Sequence, residues 1–324
     1  MLVSTTGAED GKMRVLVTGG AGFIGSNLCE HLLADGDVEA VRVLDDLSTG
    51  FLDNLDGLDV EFVEASILDQ EAVRQAVAGC DAVVHLAALG SVPRSVEDPL
   101  ASHHANVTGT VHVLQAAVDS GAYVVMSSSS SVYGANPTLP KHESLLCQPM
   151  SPYAVSKLAA ESYMVAFGNV YGLPALPLRF FNVYGPRQRA GHVYAAVVPA
   201  FLDAAMRGEP LSRHGDGQQT RDFTYVGTVC EVLIRALKGR VTSGPTNLAF
   251  GTRVSLNDLI EMMEQQLGRS IEVSELPTRA GDVRHSAAAN ERLLELFPNL
   301  VPVPLEQGLA NTITWMQDEV SKTR

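Results

Sequence analysis

Val15-Leu16-Val17-Thr18-Gly19-Gly20-Ala21-Gly22-Phe23-Ile24-Gly25 reads as an apolar strand, a glycine turn and the first turn of a helix. Each glycine answers a different steric demand. Gly19 permits the tight turn, Gly22 lets backbone approach a pyrophosphate, and Gly25 lets helix and strand pack closely. The helix start then presents free N–H groups and the positive end of its dipole to phosphate. A glycine triad alone is weak, because many such matches are only turns. Here the next apolar run ends in Leu44-Asp45-Asp46, with a carboxylate at the expected distance down the chain. Asp45 there accepts hydrogen bonds from adenosine ribose hydroxyls and repels a 2′-phosphate, which favours NAD over NADP. The bland alternative for Asp45 and Asp46 is a loop cap.

On either side of this turn, short β-branched runs occupy residues 14–18, 40–44, 60–63, 82–86, 123–126 and 175–181. Segments with helical spacing lie between them, at 23–33, 70–78, 108–118 and 153–171. Strands apolar throughout and separated by helices predict a parallel sheet covered on both faces, a doubly wound α/β fold of Rossmann type. After Asn182 the rhythm breaks into stretches rich in Gly, Arg, Gln and His, with Pro186, Pro199 and Pro210. The expected division is a loose tail over 1–12, an NAD-binding domain over 13–182 and a smaller, loop-rich substrate lobe over 183–324. The apolar run at 246–250 points back to the sheet, so residues near 224–250 are expected to return to it and the two parts to interleave. A further helix is predicted over 256–267.

The 324 residues carry 23 Lys and Arg against 37 Asp and Glu, a net charge of −14, which argues against a nucleic-acid surface. With 46% apolar and 19% charged residues, the chain can bury a substantial core. Cys29, Cys80, Cys147 and Cys230 form no CxxC pair and read as reduced core residues of a cytoplasmic protein. No 18-residue apolar run and no signal peptide is found, so no membrane partner is expected. No metal site is expected either: His103 and His104 are adjacent and cannot both face one ion, and His85 in its apolar strand reads as a core histidine.

Two further stretches carry chemistry. Met126-Ser127-Ser128-Ser129-Ser130-Ser131-Val132-Tyr133 closes the fifth strand, and Ser151-Pro152-Tyr153-Ala154-Val155-Ser156-Lys157 opens a long helix. Tyr153 and Lys157 lie one helical turn apart and share a face. A free tyrosine titrates near pH ~10, too high for a base at neutral pH. Lowering it by about three units takes roughly 4 kcal/mol, within reach of a neighbouring ammonium and a nicotinamide cation in a poorly solvated site.

Together these motifs resemble the extended short-chain dehydrogenase/reductases, and among them the nucleotide-sugar 4-epimerases. The resemblance runs from about residue 13 to 302. It rests on the glycine turn, Asp45-Asp46-Leu47-Ser48-Thr49-Gly50, His85-Leu86-Ala87-Ala88, Ser129 with Tyr153 and Lys157, Arg179-Phe180-Phe181-Asn182-Val183-Tyr184-Gly185-Pro186, and Arg221-Asp222-Phe223. It implies that Tyr153 takes the proton from the sugar O4 while C4 passes hydride to NAD⁺. Ser129 would bind O4, and Lys157 would bind the nicotinamide ribose and depress the Tyr153 pKa. It also implies cofactor contacts by Gly19, Gly22, Phe23, Ile24, Gly25, Asp45, Asp46, Ser48, Thr49, Gly50, Ser66, Ile67, Leu86, Ala87, Ala88 and Asn106. Asn182, Arg221 and Arg279 match diphosphate contacts, Asp282 the uridine-ribose region, and Ser91 and Ser130 the sugar side. A homodimer through the helices near 107–117 and 153–171 is expected on the same ground. Ser66-Ile67 departs from the family's Asp-Ile pair, which weakens or replaces an adenine contact.

Related 4,6-dehydratases carry Thr-Asp-Glu where this chain has Ser129-Ser130-Ser131, and decarboxylating relatives keep the Glu. Serine hydroxyls have no accessible pKa for that acid–base work, so the resemblance points to simple 4-epimerisation. A reductase or dehydrogenase that releases NADH, or a silent NAD-sensing protein, are the competing readings. The sugar stays open among UDP-glucose, UDP-N-acetylglucosamine and UDP-glucuronate. Leu89-Gly90-Ser91-Val92-Pro93-Arg94-Ser95 and the small Ser286 resemble the acetamido enzymes. Arg189 matches a loop arginine of uronate-specific ones, or is a solvated or phosphate-touching residue; Arg187 and His192 lie in the same loop.

Overall fold

The computed structural model describes residues 12–190, 196–277 and 284–322, so residues 1–11 of the expected tail lie outside them. A seven-stranded parallel sheet forms the centre. Its strands are β1 (Met13–Thr18), β2 (Val38–Asp45), β3 (Glu61–Glu64), β4 (Ala82–His85), β5 (Tyr123–Ser129), β6 (Ala175–Phe180) and a last strand, Thr246–Leu248. They lie in the order β3-β2-β1-β4-β5-β6, with Thr246–Leu248 paired parallel to β6 at the far edge. The chain runs one way from β1 to β3 and then crosses to β4, which leaves a crevice at the carboxyl ends of β1 and β4.

The two-residue period of a strand divides the apolar runs between two cores. Val15, Val17, Val43, Val84 and Val125 pack on the side of α1 (Phe23–Ala34). Leu16, Leu44, Val83, Val124 and Met126 pack on the opposite side, against α2 (Gln70–Val77). This is why the strands read as continuously apolar. Short helices α3 (Val92–Glu97) and α4 (Pro99–His103) lead through a wide helical turn, His104–Thr108, into α5 (Gly109–Ser120). Next comes α6 (Pro152–Tyr171), started by Pro152 and by Ser151, whose hydroxyl accepts from the Ala154 N–H at 3.1 Å. Gly172 ends it in the left-handed conformation.

The segment after Asn182 is more helical than its composition suggests. It holds α7 (Val197–Arg207), α8 (Val226–Gly239), α9 (Leu256–Leu267), α10 (Glu291–Leu296) and α11 (Leu305–Lys322). The expectation of a loop-rich lobe is corrected here. Leu202, Leu259, Met263 and Leu309 of α7, α9 and α11 bury one another in a separate core, whereas Val229, Val232 and Leu233 of α8 belong to the sheet's own core. Among the described residues no helix is long and apolar enough to cross a membrane.

Candidate active site

The glycine turn sits where the sheet order reverses. Gly19 has φ +73°, and its N–H donates to the Leu44 carbonyl at 2.8 Å. A Cβ on Gly25 would lie 2.2 Å from the Gly19 oxygen and 2.7 Å from the Gly20 Cα, so only glycine lets α1 sit this close to the turn. A Cβ on Gly22 would meet only the Gly19 oxygen, at 3.2 Å. That face is open to a cavity of about 790 Å³. The first turn of α1 has neither a side-chain cap nor a carboxylate, so its N–H groups suit phosphate oxygens. An open glycine cradle, an uncapped helix start and an acidic residue on one cavity wall fit a dinucleotide.

The same cavity is lined by Gly19, Gly22, Phe23, Ile24, Gly25, Asp45, Asp46, Ser48, Thr49, Ser66, Ile67, Leu86, Ala87 and Ala88. Asp45 is 7% exposed and already accepts the Ala21 and Leu47 N–H groups, both at 2.9 Å. It therefore braces the glycine turn, and burial pushes its carboxyl up. The Asp46 carboxylate accepts the Ser48 N–H at 3.0 Å. Gly50 and Asn106 do not line the cavity. A Cβ on Gly50 would lie 2.9 Å from the Ala21 carbonyl carbon, so this glycine closes its loop over the turn. The Asn106 amide grips both backbone groups of Leu89 and the Ser156 hydroxyl, and so braces the start of α6.

Ser129, Tyr153 and Lys157 reach the same cavity from β5 and α6. The Ser129 hydroxyl accepts from the Ser131 N–H at 3.2 Å and the Ser131 hydroxyl at 2.8 Å. Its own proton is then directed to the Tyr153 oxygen, a hydrogen bond that favours the phenolate. Burial outweighs it and holds the Tyr153 phenol above its ordinary value. Lys157 Nζ donates to the Ser127 carbonyl at 2.7 Å, and burial brings the lysine down to about 8. The expected depression of Tyr153 by Lys157 is not seen in the protein alone, because the ammonium is turned to the strand.

The substrate-side residues are dispersed. Ser91 caps α3 and lines the cavity, whereas Ser130, Asn182, Arg221 and Ser286 do not. Asn182, with φ +29°, donates to the Asp222 carbonyl at 3.0 Å. Arg221 donates to the Thr220 carbonyl at 3.0 Å, and the Ser286 N–H donates to the same carbonyl oxygen at 3.1 Å. Asp222 is the hub that sequence reasoning passed over. It is fully buried, and its carboxylate accepts from Gly251 N, Ala288 N and the Thr252 hydroxyl. The Arg189 guanidinium lies 3.8 Å over the Phe51 ring and 3.7 Å from the Asp53 carboxylate, on the lip beside the glycine turn. Arg187 pairs with Glu30 of α1 at 2.5 Å. Arg279, Asp282 and His192 lie outside the described residues.

Residues 15–249 match the NAD dependent epimerase/dehydratase family. The chain belongs to this family of NAD-dependent enzymes. It is 38% identical over 315 residues to the UDP-glucose 4-epimerase of Mycolicibacterium smegmatis, covering 95% of this chain and 99% of that protein. It is 33% identical over 328 residues to the UDP-N-acetyl-alpha-D-glucosaminuronate decarboxylase of Bacillus cytotoxicus, covering 95% and 98%. The structure of the UDP-N-acetylglucosamine 4-epimerase of Methanobrevibacter ruminantium, in complex with UDP-N-acetylmuramic acid, superposes with a TM-score of 0.90 at 35% identity, covering 95% and 99%.

The cradle supplies a direct test. Gly25→Ala forces backbone apart by about 1–3 kcal/mol, so the purified variant is expected to hold NAD about tenfold or more less tightly. Nicotinamide released by acid, per mole of chain, measures it; wild-type content would refute the packing role.

Proposed function

We propose that the protein is a UDP-sugar 4-epimerase that keeps its NAD through the reaction. The observation that carries this is the convergence of Ser129, Tyr153 and Lys157 on the cofactor cavity, with Ser130 and Ser131 beside them in place of an acid pair. Dehydration and decarboxylation need a carboxyl group there to move further protons; the Ser131 hydroxyl is instead occupied in orienting Ser129. The likeness to the two 4-epimerases supports the same choice over the decarboxylase.

NAD bound in the cradle supplies a reversible hydride acceptor for the sugar C4. Tyr153 holds the O4 proton, which it takes as phenolate and returns as phenol. Its phenol rests above the ordinary value in the protein alone; the nicotinamide charge and Lys157, which would hold the ribose, would favour the phenolate. Ser129 orients O4, and its own hydroxyl is fixed by the two Ser131 bonds. Asn182 and Arg221 bind the diphosphate, and Ser286 bounds the sugar at C2; diphosphate and uridine-ribose contacts by Arg279 and Asp282, outside the described residues, belong to the same reading. Ser91 and Ser130 stay on the sugar side.

Among sugars, we favour UDP-glucose or its 2-acetamido form over the uronate. The cation expected to meet a C6 carboxylate, Arg189, is engaged by Phe51 and Asp53 on the cofactor lip. A homodimer and a cytoplasmic location belong to the same reading. Val155, Tyr163 and Val170 leave apolar surface on α6 for a second copy. The test is a panel of UDP-glucose, UDP-N-acetylglucosamine and UDP-glucuronate, with no cofactor added. Conversion of one of the first two to its C4 epimer is expected. NAD-loaded protein inert on all three, or net NADH release during turnover, would overturn the proposal.

A further inference from the structure

Behind Ser129, Tyr153 and Lys157 lies an ion pair that the chemistry proposed above does not use. Arg179 of β6 donates to both carboxylate oxygens of Glu161 on α6, at 2.7 and 2.9 Å, and both side chains are 4% exposed. The Ser128 hydroxyl donates to the same carboxylate at 2.6 Å. Ser128 and Arg179 are direct register partners across β5 and β6. The guanidinium also lies 4.8 Å over the Tyr133 ring, and it donates to the Cys147 sulfur at 3.4 Å. A buried pair of this kind adds little stability over apolar residues of equal volume, so its position asks for another explanation.

That position is specific. Tyr153, Lys157 and Glu161 stand at successive turns of one helix face, the first two on the cavity wall and the third behind it. Consecutive residues of β5 hold this stripe: the Ser127 carbonyl takes the Lys157 ammonium, Ser128 takes Glu161, and Ser129 takes Tyr153. Resting on the role proposed for Lys157, we propose that the Glu161–Arg179 pair is a positioning unit that keeps Lys157 charged and in register with Ser129.

The electrostatics agree with the geometry. Burial draws Lys157 toward the neutral form, and Glu161 is the charge that opposes it. The other titratable group that meets the ammonium is the His85 ring on β4, while the Tyr153 phenol, one turn away on α6, faces Ser129. His85 stays neutral, held at about 3 by burial and by Lys157 itself. Arg179 approaches from β6, with Tyr133, Cys147 and Glu143 arranged around it and its ring partner. The pair therefore turns its negative end to Lys157. A lysine raised by a carboxylate keeps its charge to higher pH, and loses that added range when the carboxylate is neutralised.

The experiment follows the ε-carbon resonance of Lys157 against pH in NAD-loaded, lysine-labelled protein, with the signal assigned by its loss in Lys157→Arg. Glu161→Gln is expected to lower the Lys157 midpoint by about one pH unit, a tenfold change in proton affinity. The alkaline limb of kcat should move with it. The double variant Glu161→Met/Arg179→Met, apolar and similar in volume, should lower the midpoint by a smaller step, because the opposing arginine charge is removed as well. If Glu161→Gln does not fold, the double variant carries the test alone. An unchanged Lys157 midpoint in the folded variants, with activity lost or kept, would reduce the pair to scaffolding. The resonance can be read even if no UDP-sugar turns over, so failure here is distinct from failure of the functional proposal.

Discussion

Tyr153→Phe is expected to leave a folded, NAD-loaded protein whose turnover of UDP-sugar falls about 10²–10⁴-fold, the usual worth of a positioned acid–base group. The substitution removes one oxygen and keeps the ring, so the cavity wall stays in place. What disappears is the atom proposed to take the O4 proton, together with its interaction with Ser129. KM should change far less than kcat, since the diphosphate contacts proposed for Asn182 and Arg221 lie off this cavity wall. Steady-state and single-turnover rates at matched NAD content measure the effect. Near wild-type kcat in that variant would exclude Tyr153 as the proton carrier.

Arg179→Met is expected to have the largest effect on stability, about 3–5 kcal/mol, because it strands the Glu161 carboxylate in the interior with the Ser128 hydroxyl as its one remaining hydrogen-bond partner among the described residues. Urea denaturation would show the midpoint fall at an unchanged slope. Most of that loss should return in Glu161→Met/Arg179→Met, in which neither half of the pair is left without the other. A single variant as stable as wild type would mean that water reaches the pair in solution.

Local patterns carried most of the fold. The residue-15 turn, the apolar strands and the long helix at 153–171 obey short-range rules of period and turn chemistry, and β1 to β6 lie where those rules put them. After Asn182, α9 lies over the expected 256–267, whereas α7 and α8 were harder to read. α7 contains Pro199 and α8 is rich in β-branched residues, and both owe their place to packing between distant segments. The same distinction separates the site residues. Ser129, Tyr153 and Lys157 stand out through spacing within one or two elements. Glu161 and Asp222 do not, since their importance comes from partners 18 and up to 66 positions away. Asn106 and Gly50, expected beside the cofactor, also brace the start of α6 and the glycine turn, a role that only their distant neighbours reveal. Arg189 could be placed only by finding Phe51 opposite it.

The residues proposed to handle the proton and those proposed to hold the diphosphate are hung on separate frames. Consecutive serines of β5 carry the first set, and the single carboxylate of Asp222 gathers the loops that carry the second. Evolution could thus exchange the handle a sugar nucleotide is gripped by while inheriting the chemistry at C4 intact. A lineage assembled this way diversifies by swapping loops around one fixed anchor, and a protein engineer would begin by redrawing the segments that Asp222 holds.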